Sequence, residues 1–136
     1  MEPCSMKAKR LARALAGIAA ATVATLPVSA GAADAAHGQA LFRDQCGLCH
    51  TAAPGDGDGG QGPDLRGVVG RKAASSEGFP YTAALKASGL TWTPEVLDHF
   101  LADPDKAVPG TAMPVAVPDA KDRADLIAYL ASLRGS

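Results

Sequence analysis

The sequence predicts an all-α fold: a single small domain of about four or five short helices joined by long irregular loops. Three observations lead there. Apolar residues recur at helical spacing in short segments with capping residues at their starts. No segment shows the apolar/polar alternation of a half-buried strand. The chain also carries 15 glycines and 10 prolines, which crowd between the periodic segments, where such residues stop helices and shape turns.

Taken from the N-terminus, the first stretch is an address rather than part of the fold. Lys7, Lys9, Arg10 and Arg13 form a basic head, Ala14 to Leu26 an apolar centre, and small residues follow, the pattern of a secretory signal peptide. The apolar centre is about 13 residues against the ~20 of a membrane-spanning helix, and Pro27 follows it directly. Cleavage after Ala30 or after Ala33 satisfies the small-residue rule. Residues 1–33 are therefore assigned to the signal and 34–136 to the domain; an uncut leader would instead anchor the chain to a membrane. Cys4 precedes the apolar centre and leaves with the leader. The precursor has a formal charge of −1; losing four basic residues and Glu2 removes three positive charges and leaves −4 on the domain. A chain of that sign is a poor match for nucleic acid.

In the domain, Asp34 is placed to cap a first helix running to about Cys46, with Gly38, Phe42 and Cys46 on one face. Thr51 to Gly62 reads as a solvated, flexible loop. Asp56-Gly57-Asp58 resembles the start of a calcium loop, but no Glu closes it at the twelfth position. A short helix around Thr82 to Ala87 ends at Gly89. The next has Thr93 as N-cap and Pro94 at the first turn, buries Val96, Leu97, Phe100 and Leu101, and stops before Pro104. From Pro104 to Pro118 the four prolines and weak periodicity predict a wrapped loop. The last helix begins at Asp119 and runs to about Leu133, with Leu126, Tyr129, Leu130 and Leu133 at helical spacing.

The chemistry is carried by Cys46-Gly47-Leu48-Cys49-His50. A C-x-x-C-H run reads as a covalent haem attachment site: two thiols on one turn can add to the two haem vinyl groups, and the adjacent histidine can bind the iron. A thioredoxin-like pair would need a βαβ setting, which is missing, and a zinc site would need further Cys or His ligands, whereas no cysteine follows Cys49. A buried prosthetic group also answers the thin core, since aromatic residues make up only 4% of the chain. Once the leader is removed, a single methionine remains. Met113 lies in Pro109-Gly110-Thr111-Ala112-Met113-Pro114, an irregular stretch where core filler is rare, so it is the candidate for the sixth iron position, with His37 and His99 as weaker candidates. A thioether favours ferrous iron, and filling both axial positions leaves none for a substrate, which points to electron transfer rather than catalysis.

Beyond the motif, an ordered series of residues resembles the small soluble class I cytochromes c, bacterial relatives of the mitochondrial protein. The series comprises Gly38 and Phe42, Gly62-Pro63-Asp64-Leu65, Gly70-Arg71-Lys72, Phe79 to Tyr81, Gly89-Leu90-Thr91-Trp92, Pro109 to Met113, and Asp125 to Leu130. The resemblance implies a domain wrapped around one haem c bound through Cys46 and Cys49, with His50 and Met113 on the iron. It implies that the Pro63 carbonyl accepts the Nδ1 proton of His50, that Leu65 lines the pocket, and that Arg71, Tyr81 and Trp92 meet the haem carboxylates. Phe100 and Leu85 depart from the pattern, standing where many relatives have a tyrosine and an asparagine near the methionine sulfur, so the distal side is expected to be drier. The implied function is a periplasmic, monomeric one-electron carrier without catalytic residues. Its donor would be a redox protein such as a quinol-oxidising complex, its acceptor a terminal oxidase or reaction centre. The alternatives are a peroxidase-like or ligand-binding haem protein with a labile sixth ligand, and an anchored subunit of an oxidase or dehydrogenase. Where mitochondrial relatives carry lysines around the haem edge, this chain has Gln45, Asp56, Asp58, Asp105 and Ala112, a mostly neutral to acidic docking face on which Lys106 and Lys121 are the remaining positive points.

Overall fold

Asp34 starts the first helix by offering its carboxylate to the backbone N–H groups of Ala36 (2.9 Å) and His37 (3.2 Å), and α1 then spans Ala35–Leu41. The computed structural model describes residues 31–56 and 60–133. The assigned leader lies outside these residues except for its last three positions, and Asp58 lies outside them too. The single helix expected as far as Cys46 changes character at Phe42: Phe42–Cys46 form a π-helical turn, with the Gly47 N–H donating to the Phe42 carbonyl at 2.8 Å. This wider i→i+5 pattern inserts a residue into the run without ending it, which a 3.6-residue period does not reveal.

The remaining helices follow their caps. Thr82 caps α2 (Ala83–Ala87), and Thr93 accepts from Val96 N–H at 3.3 Å to open α3 (Pro94–Ala102), with Pro94 in the first turn where its missing N–H costs nothing. The stretch expected to be loop from Pro104 onwards instead begins with one helical turn, α4 (Pro104–Ala107), capped by Asp103 through Lys106 N–H at 3.1 Å. Four residues are too few to display a period, but Asp-Pro is itself a helix-start signal. The chain then wraps irregularly to Asp119, which caps α5 (Ala120–Ser132) through Lys121 and Asp122 N–H. Among the described residues there is no strand, only an isolated antiparallel bridge between Lys72 and Thr91. No helix among them is long and apolar enough to cross a membrane.

The frame is α1 laid across α5, with α3 also packed against α5. Gly38 makes the crossing possible, because a Cβ there would run into the backbone carbonyl of Asp125. One turn on, Phe42 is fully buried against Tyr129, ring centroids 5.7 Å apart. Asp125, itself buried, pins the crossing. It accepts from Asp34 N–H (2.7 Å), from the Lys121 ammonium, and from His37, whose Nδ1 lies 2.8 Å away. Lys121, then the Asp34 amide and His37, hold the Asp125 carboxyl well below the usual carboxylate range.

Arg123 makes the second clamp. Its Nε donates to Asp98 on α3 at 2.7 Å, and its Nη1 to the carbonyls of Val117 (3.0 Å) and Pro118 (2.8 Å). Together with the bond from Val117 N–H to the Leu101 carbonyl (2.7 Å), this ties the end of the irregular Pro109–Pro118 stretch to α3 and α5.

Candidate functional site

A cavity of about 670 Å³ lies among these elements, within the ~300–1,000 Å³ typical of ligand and cofactor sites. Its walls are mostly apolar, with Phe42, Leu97, Phe100, Leu126 and Leu130 buried and Leu65 and Leu85 partly so. The haem-motif residues, Met113 and the residues the resemblance assigns all line this one cavity: Cys46, Cys49, His50, Pro63, Leu65, Arg71, Tyr81, Trp92 and Met113. His37 and His99 do not. His37 is bound to Asp125, and His99 is exposed on α3.

The π-helical turn delivers the thiols. Cys49 and His50 both donate their backbone N–H to the Cys46 carbonyl (3.0 and 2.9 Å), a tight turn that puts both thiols and the imidazole on the same wall. Both cysteines are free. Burial, reinforced by the neighbouring Cys49, pushes the Cys46 thiol up to about 11, so it is protonated at neutral pH.

His50 is fixed by what lies behind it. Its Nδ1 sits 2.8 Å from the Pro63 carbonyl, and because a carbonyl can only accept, Nδ1 carries the proton and Nε2 keeps its lone pair. The ring lies so close to Gly62 that a Cβ there would overlap it. Gly62 N–H in turn donates to the Cys49 carbonyl at 2.8 Å and Leu65 N–H to the Thr51 carbonyl at 2.8 Å, which secures the 62–65 segment against the motif.

Arg71 and Trp92 are brought side by side by paired backbone: Gly70 N–H donates to the Trp92 carbonyl (2.8 Å) and Trp92 N–H to the Arg71 carbonyl (2.9 Å). Arg71 also holds the Asp64 and Arg66 carbonyls at 2.8 and 3.2 Å, leaving Nε among its unused donors. Trp92 stacks at a tilt on Phe100, centroids 5.0 Å apart. Phe100 and Leu85, the departures noted from the sequence, both face the cavity and bring no polar atom to it. Met113 sits in a loop held at both ends. Gly110 N–H donates to Asp105 (3.3 Å) and Thr111 N–H to the Val108 carbonyl (2.9 Å) on one side, with the Arg123 clamp on the other.

These observations fit a covalently held haem: two free thiols, a histidine with Nε2 available, a methionine, apolar walls for a flat macrocycle, and Arg71, Tyr81 and Trp92 for its carboxylates. One expectation changes. Asp56, taken as part of a solvated loop and of an acidic docking face, is only 1% exposed, and its Oδ1 accepts from Arg43 Nε and Gln39 Nε2, both at 3.0 Å. A Cβ at Gly47 would strike the Asp56 carbonyl, so the base of this loop is packed onto the motif turn itself. The Arg43–Asp56 pair and the Arg123 clamp were missed from the sequence because their partners are fixed by the fold; Lys121 and Asp125, four apart on one helix, carried a legible signal.

A family model described as Cytochrome c matches residues 35–134. The chain is similar to a cytochrome c of Tetrahymena pyriformis, 48% identical over 101 residues, covering 74% of this chain and 89% of that protein. It is also similar to a cytochrome c2 of Rhodomicrobium vannielii, 45% identical over 105 residues, covering 76% and 82% respectively. Among solved structures, cytochrome cH from Methylobacterium extorquens superposes with a TM-score of 0.66 at 44% identity, covering 73% of this chain and 98% of that one.

Proposed function

The chain belongs to the cytochrome c family, whose members transfer electrons and are not enzymes, and we propose that it is a monomeric carrier exported to the periplasm, with its iron held between His50 and Met113. The cofactor is haem c, attached covalently through the cysteines of the motif, Cys46 and Cys49. The bound group supplies a one-electron ferric/ferrous couple.

The observation that carries the axial assignment is that His50 and Met113 line the same apolar cavity as the two thiols, whereas His37 and His99 lie outside it. His50 offers Nε2 because Pro63 holds the proton on Nδ1. Met113 would offer a neutral thioether sulfur, a soft donor for the iron, from a loop tied at both ends. Leu65, Leu85 and Phe100 exclude water, and Arg71, Tyr81 and Trp92 supply a cation, a hydroxyl and an indole N–H for the haem carboxylates. The basic and apolar leader supports export, and the donor and acceptor are redox proteins, of the kind of a quinol-oxidising complex on one side and a terminal oxidase or reaction centre on the other.

Carbon monoxide tests this reading. The reduced holoprotein should keep its spectrum under the gas, because both axial positions are taken. A rapid change to a carbonyl-bound spectrum would mean an open or labile sixth position and favour the ligand-binding alternative. Intact mass of the periplasmic protein tests the leader: loss of 30 or 33 residues is expected, and a full-length mass would point to an anchor.

A further inference from the structure

Two carboxylates are buried among the described residues, and the fold treats them differently. Asp125 is answered by the Lys121 ammonium, the Asp34 amide and His37, and it serves the crossing of α1 and α5. Asp56 has fewer partners. Its Oδ1 takes both side-chain bonds, from Gln39 Nε2 and Arg43 Nε, and its Oδ2 meets no donor among the described residues. Gln39 is on α1 and Arg43 on the π-helical turn, so the carboxylate spans the point where the helix changes its hydrogen bonding on the way to the thiols.

The backbone fixes where this charge stands. Asp56 N–H donates to the Ala53 carbonyl at 3.1 Å, a turn that brings the chain back onto the motif, and the Asp56 carbonyl lies so near Gly47 that a Cβ there would strike it. Gly47 follows Cys46, so the anion is held behind the turn whose thiols take the haem. The Asp56 side chain is fully buried, whereas Arg43, its cation among the described residues, is 52% exposed. Water and salt screen an exposed guanidinium and reach a buried carboxylate far less, so the pair presents a net negative charge to the haem.

We propose that Asp56 tunes the ferric/ferrous couple, its buried charge favouring the ferric form and lowering the reduction potential. Ferric haem carries one positive charge more than ferrous haem, so a fixed anion nearby stabilises the oxidised state. Asp56 does not line the cavity and acts through its field. The inference rests on the carrier reading.

Mediated potentiometric titration of the holoprotein reads the effect. Asp56→Asn removes the charge while keeping the shape and an acceptor for Gln39 and Arg43. It is expected to move the ferrous/ferric ratio at a fixed potential roughly threefold toward ferrous, an upward shift of about 28 mV for a one-electron couple. The shift should survive high salt, because the lost charge is buried. Asp44→Asn removes the same charge from an exposed side chain two positions before Cys46, and should give a smaller shift that high salt abolishes. The double variant Asp56→Asn with Arg43→Gln leaves an amide pair in place of the ion pair, and an upward shift is expected there too. It stands in for the single variant if that one fails to assemble with haem.

An unchanged or lowered potential in Asp56→Asn would overturn the inference, as would a shift no larger than that of Asp44→Asn. So would a shift accompanied by a changed low-spin absorption spectrum, or failure of both the single and the double variant to hold haem, because either result would make Asp56 a structural support only. A parent with no reversible one-electron wave would overturn the carrier reading instead, which separates the two failures.

Discussion

At the scale of single residues, the candidate haem-binding chemistry is local and legible in the sequence. The Cys46–His50 motif is contiguous, and Met113 is conspicuous as a methionine outside any helix. What supports these residues is less legible. Pro63 reaches His50 across a loop, and the glycine at 62 is explained only once the imidazole is seen resting on it. Asp56 was misplaced for the same reason, since whether a loop carboxylate is solvated or buried depends on which side chains the fold brings over it. Asp125 offers a quantitative test. Its folded-state carboxyl is held below its ordinary value, so it contributes stability that is fully present above the unfolded pKa of ~3.9 and is lost as pH falls through the lowered folded value. Asp125→Asn should therefore melt at a lower temperature than the parent at neutral pH. The gap should narrow on approaching about pH 3. Thermal melts followed by circular dichroism across that range check it; a constant gap at all pH values would show that the loss is one of packing rather than charge.

At the scale of elements, the helices were readable wherever a cap and a period coincide, as at Asp34, Thr93-Pro94 and Asp119. Two features were not. The π-helical turn at Phe42–Cys46 keeps the apolar spacing of a helix while changing its hydrogen bonds, and α4 is too short for its period to be seen. Neither alters which residues face the core: Gly38 and Phe42 still meet α5 at Asp125 and Tyr129 where the first and last helices cross. That crossing yields a sharp expectation for Gly38→Ala. Alanine gains ~0.8–1.0 kcal/mol over glycine in a helix interior. Here its methyl would collide with the Asp125 carbonyl, a backbone atom that cannot rotate away, and overpacking of this kind costs about 1–3 kcal/mol. A net loss of stability is expected, measurable by denaturant unfolding of the holoprotein. A stabilised variant would mean that α1 and α5 can separate freely.

At the scale of the whole molecule, the thin apolar core and the 670 Å³ cavity are two views of one fact: the walls face a space the polypeptide does not fill. The fold class could be read from composition and periodicity, but the size and lining of that space could not, because they arise from segments far apart in the chain such as 62–65, 70–72, 90–92 and 111–115. If the haem completes the core, Cys46→Ser with Cys49→Ser should yield a chain without cooperative helical unfolding, as circular dichroism would report. A cooperatively folded apoprotein would show that the helices suffice by themselves. The most direct test of the central claim, a carrier whose iron is held by His50 and Met113, is the absorption spectrum of the oxidised holoprotein. The account predicts a weak near-red methionine-to-ferric charge-transfer band in the parent and its disappearance in Met113→Ala, with haem still attached through Cys46 and Cys49. A parent lacking the band, or a variant that retains it, would contradict the assignment.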